Sequence, residues 1–468
     1  MSDFPKTGSK AAARGQAAST SRLPLGVKLG FGVADLGGNL FFTAMGFWTL
    51  FFLTDVVGIA AAAAGAIYWA GKLWDAVTDP LTGFISDRTR TRWGRRRPFM
   101  LFGAVPQLLA MWLFFTKPPV SSPWLVALWS GLALCLLNTA FTIVNIPYGA
   151  LTPDLTPDYH ERTSLNGYRF SFAILGTMLG AVAVQPLVGL FPSQAQGFSA
   201  VGLIFGVVMA VTALITVFTV KEGDHSSTPV PKEGFFETFM VVFKNKPFVV
   251  LIATYGLNLV GIAFVETILV YYFKWLYRDE GATSIAMLVL LVVAMLAIPV
   301  SVLVSKRIGK KRTYQINFAI LAVTCLVIFF LGHRLGMTFF YAMMAFAGIG
   351  LGFGYALPFA MVPDTVEYDA VTTGKRKEGA FYGMWTFIAK VGTATAVVLT
   401  GLLLQWAGYS ADLAAQSGAT LSMIRWLIGP IPAVVFIAAI LLVERYTLDE
   451  KTYRALMDTE ARQEAEGR

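Results

Sequence analysis

Charge is what this chain has least of. Of its 468 residues, 14% are Asp, Glu, Lys or Arg against 56% hydrophobic, and the mean hydropathy is +0.63. A soluble domain carries charge on roughly a quarter of its residues, so that class is excluded. Cysteine is nearly absent too: Cys135 and Cys325 both fall inside apolar runs and offer no disulfide framework. Histidine is as scarce, and His160, His225 and His333 lie in or beside predicted loops, which leaves no cluster for a buried metal. The segment up to about Leu25 is rich in Ala, Ser, Gly and basic residues and lacks the apolar core that a cleaved signal peptide needs, so a disordered cytoplasmic tail is expected.

Long apolar runs, by contrast, recur along almost the whole length. Each can cross a hydrocarbon layer of about 30 Å at about 1.5 Å per residue. The expectation is an all-α polytopic membrane protein with twelve transmembrane helices, over about 26–56, 60–87, 99–117, 123–152, 163–191, 197–220, 247–276, 283–306, 313–331, 336–365, 379–407 and 420–444. The net charge of +9 does not point to nucleic acid, because Lys and Arg gather in alternate loops. Arg88, Arg90, Arg92, Arg95, Arg96 and Arg97 follow the second span; Lys306, Arg307, Lys310, Lys311 and Arg312 follow the eighth. Lys221, Lys232 and Lys375–Lys377 fit the same side, so both termini are expected in the cytoplasm of a bacterial-type inner membrane, with anionic lipids as a further attraction for the outer arginines.

The polar segment KEGDHSSTPVPKEGFFET separates six spans from six. It divides the chain into a tail (1–25), an N-terminal bundle (26–220), a cytoplasmic linker and interfacial segment (221–246), a C-terminal bundle (247–446) and a second tail (447–468). The bundles echo each other. Gly94-Arg95-Arg96-Arg97 opening span three matches Gly309-Lys310-Lys311-Arg312 opening span nine, and Pro147-Tyr148 with Pro153-Asp154 matches Pro358-Phe359 with Pro363-Asp364. Such echoes mark two parallel six-helix repeats.

Chemistry concentrates in YWAGKLWDAVTDPLTGFISDRTRTRWGRRR, from Tyr68 to Arg97. Helical spacing puts Lys72, Asp75 and Asp79 on one face. Ionised groups at mid-bilayer cost about 2.5–3.5 kcal/mol each on insertion scales, and two carboxylates a turn apart also repel. A proton, a metal cation or a nearby base must offset that cost; the alternative is a set of buried salt bridges that only lock helices. On the fourth span Asn138, Thr142 and Asn145 form an uncharged polar stripe, fit for hydroxyls or for interhelical hydrogen bonds. The first span carries Asp35 and Asn39 beside Gly37 and Gly38, and Glu266 lies in the middle of the seventh. Glu266 could hold a cationic substrate group, carry a proton or neutralise Lys390. Asp35, Asp75, Asp79 and Glu266 stand against Lys72, Arg169 and Lys390, an excess that one monovalent cation would balance.

The twelve spans resemble the major facilitator superfamily, and WDAVTDPLTGFISDRTRTRWGRRRP resembles its glycoside-pentoside-hexuronide:cation symporter branch, over about residues 26–446. The resemblance implies symport of a glycoside, oligosaccharide or uronide with H⁺ or Na⁺ by alternating access, and no cofactor. It implies a coupling-cation site of Asp75 and Asp79 (the metal ligands if the ion is Na⁺), with Thr78 between them and Thr142 facing them, and charged partners Arg169 and Lys390 at the cavity, a gating salt bridge on the cytoplasmic side being the other role open to Arg169. Substrate contacts are expected from Asn39, Lys72, Asn138, Asn145, Glu266 and Tyr355. Where the melibiose permease pattern has sugar-holding aspartates, Asn39 and Asn145 stand here; aromatic positions appear as Gly149 and Tyr355, and the asparagine of the sodium-coupled type is Thr78. The galactoside pocket therefore does not carry over. Arg95 and Arg96 are expected to close the cytoplasmic side through ion pairs with Asp87, Asp154 or Asp364. Two other readings compete: a lysophospholipid-like amphiphile as substrate, since the animal symporters share the paired acids and a helix-eleven lysine, and an intramembrane prenyltransferase, which needs a second acidic motif of which Asp364, Glu367 and Asp369 are the nearest candidate.

Overall fold

The computed structural model describes residues 23–151, 155, 159–222, 242–373, 378–448 and 452. Both expected tails in the main, most of the linker with His225 and Lys232, Asp154, and Lys375 to Lys377 lie outside the described residues.

The N-terminal half runs α1 (Leu25–Gly32), α2 (Ala34–Phe51), α3 (Ala61–Arg88), α4 (Arg97–Phe114), α5 (Pro123–Ala150), α6 (Tyr159–Val182), α7 (Val184–Val188) and α8 (Gln194–Thr219). The C-terminal half runs α9 (Lys246–Tyr272), α10 (Ala282–Ile308), α11 (Lys310–Val327), α12 (His333–Thr373), α13 (Glu378–Trp406), α14 (Gly418–Ile428) and α15 (Pro430–Val443). Nine helical runs among the described residues are long and apolar enough to cross a membrane. One of them, Lys310–Thr373, is two spans: the backbone leaves helical geometry at Gly336 (φ 81°), and Lys310 at its start reaches the Ala360 carbonyl at 2.9 Å near its end. Two more runs, Ala61–Arg88 and Tyr159–Val182, are as long but richer in polar and charged residues. With the divided run and these two, twelve helical runs among the described residues are long enough to cross a membrane.

The repeat seen in the sequence has a backbone counterpart. Gly94 and Gly309, at the matched basic turns, take φ of 102° and 87°, values that only a residue without Cβ adopts freely. Beyond each turn an acid from the end of the same half caps the basic run: Glu222 accepts from the backbone amides of Arg95, Arg96 and Arg97 at 2.8, 2.9 and 2.6 Å, and Glu444 pairs with Lys311 at 3.0 Å. The first span of each half also ends alike, in a π-helical turn, at Phe52–Val56 and at Phe273–Tyr277.

Between the halves α3 packs along α13, α2 against α9, and α6 against α10. The α3–α13 contact is close because glycines line it: a Cβ on Gly65 would lie 2.9 Å from the Val398 backbone, and one on Gly401 2.3 Å from the Ala61 carbonyl. That contact brings the acids of α3 up to the lysine of α13.

Candidate functional site

Asp75 and Asp79 project from the same face of α3, as their spacing requires. Asp75 is 3% exposed and Thr142, on α5, 1%. The Thr142 hydroxyl donates to Asp79 Oδ1 at 2.7 Å and lies 3.1 Å from Asp75 Oδ1, so it bridges the two carboxylates. Lys390 reaches across from the other half. Its Nζ is 2.9 Å from Asp75 Oδ2 and also pairs with Asp79 Oδ2. Lys72 stands 3.7 Å from Asp75 Oδ2 and is flanked by the rings of Phe41, Phe42 and Tyr68, whose centroids lie 5.8–5.9 Å away. Thr78 turns its hydroxyl back to the Asp75 carbonyl at 3.4 Å.

This quartet is locally neutral, two ammonium groups on two carboxylates. Pro80 sits inside the same helix and has no amide to give the Ala76 carbonyl, which leaves an oxygen beside the acids without its helical partner.

Beside the quartet opens a cavity of about 460 Å³ between the halves, lined from α2, α3, α9, α12 and α13. Lys72 and Lys390 form its charged wall, and Asn39, Glu266 and Tyr355 line it as the sequence suggests. Two further groups from α9 line it, Asn258 and Thr267, 3% and 1% exposed. Asn258 Oδ1 and Thr267 Oγ1 have no hydrogen-bond partner among the described residues. Buried polar atoms left unmatched cost about 1–3 kcal/mol each, so water or another molecule in the cavity would satisfy these two. The signal was in the sequence: residues 258, 262 and 266 are one stripe of α9, and Thr267 adjoins it.

Glu266 is not the counter-ion of Lys390; the shorter path through Asp75 and Asp79 takes that role. Among the described residues Glu266 has no ion-pair or hydrogen-bond partner, and its Oε2 faces α2 where a Cβ on Gly46 would lie 3.2 Å away. Of the four acids counted in the sequence, Glu266 is the one whose carboxyl meets no Lys or Arg among the described residues.

Three of the residues named for substrate contact lie away from the cavity lining, two of them in the salt bridge and the interhelical hydrogen bond that are their other readings. Arg169 binds Asp35, its Nε 2.6 Å from Asp35 Oδ2, with the Tyr148 hydroxyl donating to the same oxygen at 2.6 Å, because α6 packs on α2 below the cavity. Asn138 donates to the Gly71 carbonyl at 2.8 Å, an interhelical bond within the N-terminal half. Asn145 lines a water-sized void of about 10 Å³ in that half. Of the residues expected to gate, Arg96 reaches Asp87 at 3.3 Å and Asp364 takes Lys310 at 2.6 Å, both within one half; Arg95 uses its amide on Glu222.

The sequence reading missed a second junction, at the end away from the arginine turns. Asp55, in the first π turn, has a fully buried side chain and meets Lys274 of the second π turn at 2.7 Å. Tyr409 lies 2.7 and 2.8 Å from the two Asp55 oxygens, and Thr54 is 2.7 Å from the Tyr271 hydroxyl. Burial, with Tyr271 and Asp55 beside it, raises the Tyr409 phenol far above its ordinary range, so it remains a donor. Lys274 also reaches Glu280 at 3.4 Å, which accepts from Gln194 at 3.0 Å. An acid and a base at corresponding ends of matched spans, in FFLTDV and YYFKWLY, were the available signal.

Two similar helical halves enclosing a central cavity, with paired charges reaching across it, define a polytopic membrane transporter. The chain belongs to the family described as MFS/sugar transport protein, which it matches over residues 30–450. It is 31% identical to the putative sulfoquinovose importer of Escherichia coli (strain K12), over 94% of each chain. It is 29% identical to the isoprimeverose transporter of Lactiplantibacillus pentosus, over 94% of this chain and 92% of that one. Among solved structures, that of the nucleoside transporter NupG superposes with a TM-score of 0.65 at 13% identity, covering 89% of this chain and 98% of that one. Membership of a transporter family decides against the prenyltransferase reading.

Proposed function

We propose that this chain is a cation-coupled symporter of a sugar or glycoside in a bacterial inner membrane, with both termini in the cytoplasm and 26–220 and 247–446 as the two moving bundles. The observation that carries the reading is Lys390 of one half seated on Asp75 and Asp79 of the other, at the wall of a cavity with unmatched hydrogen-bonding groups. The names of the relatives, one an importer of sulfoquinovose and one a transporter of isoprimeverose, support a sugar-type cargo.

In this reading Lys390 occupies the cation site while it is empty. A coupling ion, H⁺ or Na⁺, takes its place between Asp75 Oδ2 and Asp79 Oδ2, with Thr142 holding the other oxygens. Released, the ammonium turns into the cavity beside Lys72, and there it meets the cargo together with Asn39, Asn258, Glu266 and Tyr355. Cation and cargo thereby each favour the other's binding. The Asp55–Lys274–Tyr409 junction holds the outer side closed, so the cavity is reached from the side of the arginine turns, where Tyr355 and Phe359 are 44% and 48% exposed. Arg95, Arg96, Asp87, Asp154 and Asp364 would exchange partners when that side closes.

Uptake of labelled glycosides and uronides into proteoliposomes under imposed Na⁺ or H⁺ gradients tests this. Accumulation driven by one gradient and lost in Asp75→Asn and Asp79→Asn is expected. Accumulation that both variants retain would remove the cation from this site, and no uptake of any glycoside would remove the cargo class.

A further inference from the structure

A second space, of about 90 Å³, adjoins the main cavity at Glu266: Thr43, Ile262, Glu266 and Leu351 belong to both walls. Its remaining wall is almost wholly apolar, with Phe47, Leu269, Leu321, Ile328, Met344 and Phe436 among its members. Thr177, Cys325 and Thr324 line it too, Thr324 spending its hydroxyl on the Ile320 carbonyl at 2.8 Å. Every one of its lining residues is buried or half-buried.

From this we infer that the cargo is a glycoside bearing a short apolar aglycone, the sugar in the main cavity and the aglycone in this annex, with Glu266 accepting from sugar hydroxyls where the two spaces meet. The inference rests on the symporter reading above and narrows its substrate class. Size decides between apolar groups. A dry cavity of about 150 Å³ holds a benzene ring, so the annex takes about three or four carbons and not an acyl chain. Away from the end that Glu266 and the threonines line, the apolar wall gives water few partners, and an apolar substituent is the occupant it rewards.

The test measures binding of matched methyl and n-butyl glycosides to the purified full chain, with β-glucoside, α-xyloside and β-glucuronide pairs as probes. Three added methylenes in an apolar pocket should tighten binding by about 5- to 50-fold for the butyl member of the pair that binds. Ala347→Phe, which fills the annex from α12, should bring the butyl-to-methyl ratio to about one. If that variant does not fold, Met344→Ala supplies the converse: the enlarged annex should give the hexyl member a several-fold gain over wild type. A methyl glycoside that binds wild type with no butyl advantage, or a butyl advantage unchanged in Ala347→Phe, would overturn the annex and leave the symporter reading standing. Failure of every glycoside, methyl and butyl alike, to bind the folded wild type would overturn both.

Discussion

At the scale of single residues the site turns on Lys390, whose ammonium is shared by Asp75 and Asp79. Removing one member of a buried ion pair typically costs about 3–5 kcal/mol, because the partner stays charged and unmatched. Lys390→Gln should therefore lower the thermal denaturation midpoint by more than Asp79→Asn does, since it takes an ammonium from two acids at once and leaves Asp79 with none, Lys72 remaining for Asp75. The double variant Lys390→Gln/Asp79→Asn should recover much of the loss, a non-additivity that a denaturation scan reads directly. Additive losses would mean the three groups do not share one site. Thr142→Val removes a hydroxyl that touches both carboxylates; hydrogen bonds to charged groups contribute about 1.5–3 kcal/mol, so apparent cation affinity should fall by about 10- to 100-fold in transport assays. Thr142→Ser should retain it.

Elements explain why some of the site could be read in the sequence and some could not. Helical spacing alone placed Lys72, Asp75 and Asp79 on one face and Thr142 and Asn138 on another, because period 3.6 is a local property. The stripe on α5 was legible, but its use was not. Asn138 holds the Gly71 carbonyl while Thr142, one turn on, meets the acids, and only the packing of α5 on α3 separates those fates. Asp55 and Lys274 lie 219 residues apart, at the ends of spans where a charge is commonplace, so nothing local marked them as partners. Their π turns are the structural mark, one at the matching end of each half. A buried, charge-assisted contact of this kind predicts a population effect. Asp55→Asn should shift the closed-to-open ratio of the outer side by about 10- to 100-fold towards open, if the bond contributes about 1.5–3 kcal/mol. Spin labels at the outer ends of α3 and α9 would report the shift as a longer distance, and the exchange Asp55→Lys with Lys274→Asp should reverse part of it. An unchanged distance distribution would make the junction a packing feature only. The α3–α13 glycines make a harder prediction. Gly401→Leu has no room against the Ala61 carbonyl, and it should abolish transport while single substitutions on the lipid-facing side of α13 do not.

For the whole molecule, twelve spans in two related halves were the most legible feature, because hydropathy and the alternation of basic loops are summed over many residues and tolerate local error. Matching GRRR with GKKR located two turns that do share a left-handed glycine. The contents of the space between the halves were less legible. Glu266 was visible as an acid in an apolar helix, but its lack of a partner depends on how α9 lies against α2 and on Lys390 being drawn to α3 instead. The unmatched Asn258 and Thr267 and the annex at Glu266 exist only once five helices converge on one cavity.

Coupling is the central claim, and it is a statement about linkage: whatever cation binds Asp75 and Asp79 must change the affinity for cargo by the same factor that cargo changes the affinity for the cation. The most direct measurement is the dissociation constant of a transported glycoside, taken by calorimetry on the purified chain across Na⁺ concentration and across pH, in wild type and in Asp75→Asn and Asp79→Asn. Coupling at these acids predicts that one of the two cations tightens cargo binding to wild type by about 5- to 150-fold, the usual range for such linkage, and that both variants lose the dependence while remaining folded. A cation dependence that survives unchanged in both variants would contradict it.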